Sequence, residues 1–489
     1  MGEPVASSLA RLPNLVAHAS SAARRYLATL RRDRATLYAT LGNAASLLLG
    51  PVTVYLVSAR LSPVLQGFYY TFGSLSLLQL LAEFGLGQVL IQTVSHQWHK
   101  LRMAPSGALI GDEDALNRVR QLAALALRWC ASLSLVLVAG LVTAGFVLFR
   151  HAPPGVEWRG PWLLLVASMV ANFMLAPVWA IVQGCNETVS FWMYRAVQQV
   201  VNACALWVLL IARVDLWAQG IAGIAGLVWS FGFLLHRYPQ FVWSLRGAQG
   251  RTGSLWRRHV WPLQWRTGIA WLGANYLGVA LIPLLFHRAD AAAAGRFGMT
   301  ATLCNVLLAA STNVVVTKAP QLCSLAAQGR YHELDREFGA AFRRMLATLL
   351  AGAALVLVGL ACSLYAGLPI ATRLLDPASF ALYLGYASAS AVVIAINTYL
   401  RAFGGEPFAK LYAGSGVAIL VVAAIVAPRA GTLGVTAAAF LAAALLQLPA
   451  AYVFLRAKRV DMKATSALVA SDPVTSLSGS PLATDDVSP

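Results

Sequence analysis

The stretch from Leu122 to Phe149, LAALALRWCASLSLVLVAGLVTAGFVLF, carries a single charged side chain, Arg128. About 20 such residues suffice for a helix to cross a hydrocarbon core about 30 Å thick. The run shows no alternation of period two, as a barrel strand would, and hydrocarbon offers no water to satisfy backbone amides, so it reads as a membrane-spanning helix. Working outward, eleven more runs of the same kind follow one another: Leu37–Val57, Gly67–Val94, Pro161–Gln183, Ala196–Ile211, Trp217–Leu235, Thr267–Phe286, Met299–Val316, Met345–Leu368, Phe380–Leu400, Leu411–Ala427 and Leu433–Leu455. The expectation is an all-α, polytopic membrane protein of about twelve helices. Composition agrees: 58% of the 489 residues are hydrophobic and 11% charged, too few charges to cover a soluble surface.

The 37 Lys and Arg against 19 Asp and Glu leave a net charge of +18. A nucleic-acid binder would gather that charge on a soluble domain, and none is visible, so no nucleic-acid partner is expected. Membrane topology explains the charge instead. With the N-terminus inside, 28 basic residues fall on inside loops and tails and 8 on outside loops, which places both termini in the cytoplasm. Residues 1–36 read as a basic tail, either flexible or lying on the membrane as an amphipathic helix. Residues 237–266 form the most basic linker, with Trp243, Trp256, Trp261 and Trp265 among six arginines, an interfacial pattern. Residues 457–489 read as a disordered cytoplasmic tail. The six cysteines lie in or beside apolar runs without CxxC spacing, arguing against zinc or a disulfide framework, and no motif asks for a cofactor.

The chain repeats itself. An offset of 228 pairs Gly50, Arg60, Gly67 and Leu75 with Gly278, Arg288, Gly295 and Leu303; an offset of 218 pairs Gly111, Leu116 and Arg118 with Gly329, Leu334 and Arg336; and 219 pairs Glu187 with Glu406. Residues 37–236 and 267–456 thus form two six-helix halves of the same orientation, related by an axis along the membrane normal, an architecture of transporters with a cavity between the halves.

The segment Leu61-Ser62-Pro63-Val64-Leu65-Gln66-Gly67-Phe68, followed by Ala82-Glu83-Phe84-Gly85-Leu86-Gly87, resembles the N-terminal region of Wzx-type polysaccharide flippases of the multidrug/oligosaccharidyl-lipid/polysaccharide (MOP) exporter superfamily. The resemblance implies movement of a polyprenyl-diphosphate-linked oligosaccharide from the cytoplasmic to the periplasmic leaflet of a bacterial inner membrane, for surface polysaccharide such as O-antigen or exopolysaccharide. It also implies membrane lipids, a coupling proton or sodium ion, and polysaccharide polymerase or glycosyltransferase partners. No bond need be broken, so no enzyme activity is expected.

Candidate site residues are those that hydrocarbon tolerates poorly. Glu83 is the one acid inside an assigned span, and a charge there costs about 2.5–3.5 kcal/mol on insertion scales. It reads as a coupling-ion site, as a gate paired with Arg60 or Arg296, or as a structural ion pair. Arg60, Arg288, Arg296 and Lys318, at span ends, suit diphosphate or acidic sugars if they face the cavity and headgroups if they snorkel. Asn275 and Asn305, with Asn313, Asn397, Gln88, Gln92, Gln198, Gln199 and Asn202, suit sugar hydroxyls or interhelical hydrogen bonds. Three other readings compete. A cation-coupled multidrug exporter would carry an acid in the first or seventh span, where this chain has none. A membrane glycosyltransferase or ligase would need a large outside loop, which is absent. A lipid II flippase would have fourteen spans.

Overall fold

A computed structural model describes residues 34–83, 85–247, 280–403 and 408–471. The basic tail, most of the 237–266 linker, most of the seventh span with Asn275, Glu406 and residues 472–489 lie outside the described residues; residues 457–471, expected to be disordered, instead continue the last helix to Ser471. Helix α1 runs Arg34–Arg60, followed by α2 (Pro63–Ser76), α3 (Leu78–Glu83) and α4 (Leu86–Gln97). A hairpin of β1 (Leu101–Met103) and β2 (Leu109–Gly111) leads to α5 (Glu113–Leu148), α6 (Arg159–Gly184), α7 (Thr188–Ile211), α8 (Trp217–Arg237) and the short α9 (Phe241–Ser244). The second half holds α10 (Leu281–Arg288), α11 (Ala291–Val316), α12 (Ala319–Ala327), α13 (Tyr331–Tyr365), α14 (Pro377–Arg401), α15 (Ala409–Ala442) and α16 (Leu448–Ser471). Eight stretches among the described residues are long and apolar enough to cross a membrane. One of them, Lys410–Met462, turns back at Gly431 (φ 51°, ψ −134°) and so supplies two crossings.

The second span differs from the expected single helix. It is built in three pieces, and the break before α4 falls at Gly85, whose φ of 71° is open to glycine at no steric cost. The fifth span begins at Thr188, so Arg195 lies two turns inside α7 and not in a loop. The loop after the second span forms the unexpected hairpin, turned at Gly107 (φ 81°) and tied to α9 by the Leu109 amide donating to Ser244 Oγ at 3.2 Å.

The duplication is visible in the helix starts. Ser62 and Asp290, 228 apart, each cap a helix: Ser62 Oγ accepts from the Leu65 amide at 3.2 Å and Asp290 Oδ1 from the Ala293 amide at 2.6 Å. Likewise α5 and α13 start 218 apart, as do α6 and α14. Each half packs by the same scheme: α1 lies on α7 as α10 lies on α15, and α4 lies on α6 as α11 lies on α14.

The halves meet where α2 packs along α11. A Cβ at Gly67 would overlap the Ala291 carbonyl, and one at Gly295 would sit 2.8 Å from the Gly67 nitrogen, so only paired glycines allow this approach. Beside it Phe68 of α2, Phe149 at the end of α5 and Phe286 of α10 form an aromatic knot, with Phe286 edge-on to Phe68 at 4.9 Å and to Phe149 at 5.1 Å. One buried core therefore spans both halves at this end. At the other end there are two separate cores, one around Val94, Tyr194, Tyr238 and Phe241 and one around Phe338, Tyr399 and Phe408. The molecule is joined at one end and divided at the other.

Gly67→Val should lower stability by about 1–3 kcal/mol, the usual cost of overpacking, and lower the melting temperature in detergent. Gly87→Ala, where a Cβ meets nothing within 4 Å, should leave it unchanged.

Candidate functional site

Between the divided ends lies a cavity of about 790 Å³. Its closed end is formed by Tyr69 and Tyr70 of α2, Phe297 and Gly298 of α11, and Tyr383 of α14, one turn beyond the Gly67–Gly295 approach. Its other end reaches Arg401, the last residue of α14, and Tyr412 of α15. Between them the walls carry Thr53, Ser74, Gln219, Thr302, Asn305, Thr312, Tyr386, Ser390, Asn397 and Gln447. This is a lining of phenols, hydroxyls and amides, with one guanidinium at the rim.

Several of these groups are held in place. Gln219 of α8 donates its amide to the Tyr69 carbonyl at 3.1 Å, and Gln447 donates to Ser415 Oγ at 2.8 Å from a π-helical turn, residues 443–447, between α15 and α16. Gln219 Oε1 and Asn397 Oδ1 are buried acceptors with no hydrogen-bond partner among the described residues. Such groups are costly unless something donates to them.

The closed end is tied as well as packed. Gln66, 1% exposed, donates through Nε2 to the Gly295 carbonyl at 3.0 Å and the Arg373 carbonyl at 3.1 Å, with Met299 Sδ at 3.3 Å. The Leu375 amide donates to Thr300 Oγ1 at 3.1 Å. The turn before α14 is thereby fastened to both α2 and α11. Asp376, which opens α14, is exposed, and the slight desolvation of its carboxyl pushes it up. Hydrogen bonds from the backbone and side chain of Ser379 outweigh that and hold it below the usual range.

Of the residues expected from sequence, Asn305 lines the cavity, and so does Asn397. Arg60 and Arg288 end α1 and α10 and are exposed, Arg296 is half-buried on α11, and Lys318 precedes α12 with its ammonium donating to Gln321 Oε1 at 3.0 Å; none of the four is among the lining residues. Glu83 ends α3, half-buried, and its electrostatic partner is Arg195 of α7 where Arg60 or Arg296 was expected. The other amides separate by role. Gln198 donates to Ser230 Oγ at 2.8 Å, which also meets the Tyr194 hydroxyl at 2.6 Å, an interhelical tie; Gln88 and Gln92 are exposed on α4. Sequence reasoning missed the tyrosines, Gln219, Gln447 and Arg401. The available signal was Tyr383, Tyr386, Ser390 and Asn397 recurring at helical spacing in one apolar span; Arg401 had been counted only as a loop cation.

No family model matches the sequence, and no curated protein matches it. Solved structures match its fold. A lipid II flippase MurJ in an inward-closed conformation superposes with a TM-score of 0.64 at 11% identity over 86% of this chain and 87% of that one. An inward-facing multidrug resistance MATE family transporter of the MOP superfamily gives 0.63 at 12% identity over 88% and 99%. A MATE crystal structure in a bent conformation gives 0.52 at 14% identity over 89% and 96%. The chain is an all-α polytopic membrane protein with the MOP/MATE-like fold.

Cysteines placed singly at Ser390 and Asn305, in a background lacking the six native ones, should react with an impermeant maleimide from the Arg401 side and not from the Arg60 side. Adding Gln66→Ala should raise labelling from the Arg60 side.

Proposed function

We propose that the protein is a transporter that moves a polyprenyl-diphosphate-linked oligosaccharide from the cytoplasmic to the periplasmic leaflet of a bacterial inner membrane by alternating access, for surface polysaccharide synthesis. The observation that carries this reading is the cavity lining. Phenol rings offer faces to the C–H surfaces of sugars, amides and hydroxyls offer both donors and acceptors to their hydroxyls, and Arg401 offers a bidentate donor for phosphate. The described lining holds no carboxylate to pair with an organic cation, although its phenol faces can attract one. The basic bias supports a cytoplasmic Arg401 end, and on that reading the cavity is open inward and shut outward. The lipid tail stays in the bilayer while the polar head enters between the halves. Proton or sodium coupling is assigned to Glu83 with Arg195, away from the cavity wall, and Arg60, Arg288, Arg296 and Lys318 to headgroup contact.

In proteoliposomes containing a fluorescent polyprenyl-diphosphate oligosaccharide, the wild type should translocate the probe. Arg401→Ala should slow it about ten- to hundredfold, the worth of one charge-assisted contact, with Arg401→Lys intermediate. Absence of transport by the wild type would sink the reading. Glu83→Gln should leave exchange of probe between leaflets intact but remove its dependence on an imposed proton or sodium gradient; unchanged dependence would remove Glu83 from the coupling step.

A further inference from the structure

The two ends of the cavity are far apart and chemically unlike. Tyr383 and Arg401 lie on the same helix, so at 1.5 Å per residue they are separated by about 27 Å along its axis. Arg401 is exposed at the last residue of a 25-residue membrane-spanning helix, which on that reading sets it near the headgroups, where the diphosphate of a membrane-anchored lipid lies before it crosses. The tyrosines lie deep in the span, and they are part of the closure. Tyr70 follows Gly67 by one helical turn and packs on Gly298, the Tyr383 ring stands edge-on to Phe297 at 5.1 Å, and Tyr69 is held through Gln219.

We infer that the cavity measures the sugar head: with the diphosphate beside Arg401, the outermost sugars of a long enough head reach Tyr69, Tyr70, Tyr383 and Tyr386 and touch the underside of the outer closure. This rests on the lipid-linked oligosaccharide reading above. The consequence is selection by length. A ligand shifts a conformational equilibrium only by its difference in affinity for the two states. A head that stops midway contacts walls that do not belong to the closure and leaves the inward-open state favoured. A head that fills the cavity exchanges contacts with the residues that must move, and so can favour opening. Tyr386 is the residue to test, because it is half-buried, its hydroxyl faces Ser390 on its own helix, and it meets the closure through a ring contact with Tyr383, 5.6 Å between centroids, that a phenylalanine would keep.

The test compares two probes in proteoliposomes containing the full chain: a polyprenyl diphosphate bearing one pyranose, and the same lipid bearing an extended oligosaccharide. The wild type should move the long probe faster. In Tyr386→Ala the long-to-short ratio should fall about tenfold, as loss of one aromatic contact allows, and Tyr386→Phe should restore it. Equal rates for both probes in the wild type would overturn the inference, a measurement that holds even if Tyr386→Ala does not fold. So would an unchanged ratio in a folded Tyr386→Ala. Failure of both probes to move would overturn the lipid-linked oligosaccharide reading and the length rule with it, whereas transport of both at equal rates overturns the length rule alone.

Discussion

Everything in this protein hangs on the approach of two helix backbones at Gly67 and Gly295. Within hydrocarbon, helices are not driven together by the hydrophobic effect, because lipid tails are as apolar as leucine; close packing and hydrogen bonds must do it. Here both act at one point. The missing Cβ atoms let α2 and α11 touch, the Gln66 amide bonds the Gly295 and Arg373 carbonyls across the contact, and Phe68, Phe149 and Phe286 fill the space beside it. Because the two glycines occupy equivalent places in the two halves, the contact lies at the pseudo-symmetry axis, where a single interaction can join both halves.

The same joint explains how the closure can also be temporary. Gln66 uses Nε2 fully and leaves Oε1 buried without a hydrogen-bond partner among the described residues, so the tie is incomplete. An unpartnered buried acceptor costs about 1–3 kcal/mol, which offsets part of what the two amide bonds contribute. Away from the joint, each half keeps its own core, so separating the outer ends need not unpack either one.

Much of the architecture was legible in the sequence because hydrocarbon imposes simple rules. Span length and apolar continuity showed the helices, and the Arg60/Arg288 and Gly67/Gly295 pairs showed the duplication. The site was less legible because a one-dimensional pattern does not say which way a helix faces. Asn305 and Gln198 read alike in sequence, yet one lines the cavity and the other ties α7 to α8. Glu83 stood out as a buried acid, but its partner Arg195 was concealed by a helix that starts two turns earlier than its apolar run. The hairpin and the broken second span rest on left-handed glycines, Gly107 and Gly85, whose φ sequence alone does not fix.

The charge distribution acquires a second meaning from the fold. A basic residue at a helix end orients the chain against the cytoplasmic leaflet whatever it faces, so Arg401 and Lys318 contribute equally to the inside count. Only Arg401 also stands on the cavity rim. Keeping that charge exposed at a helix end has a physical advantage, because a charge there costs far less than the several kcal/mol of one at mid-membrane. On the proposed reading, deeper recognition falls to tyrosines and amides, which membrane helices can carry at small cost because each can bond a neighbour when the cavity is empty, as Gln447 does with Ser415. A polar cargo anchored by its phosphate to the leaflet suits that division, with charge at the surface and neutral hydrogen-bonding groups within.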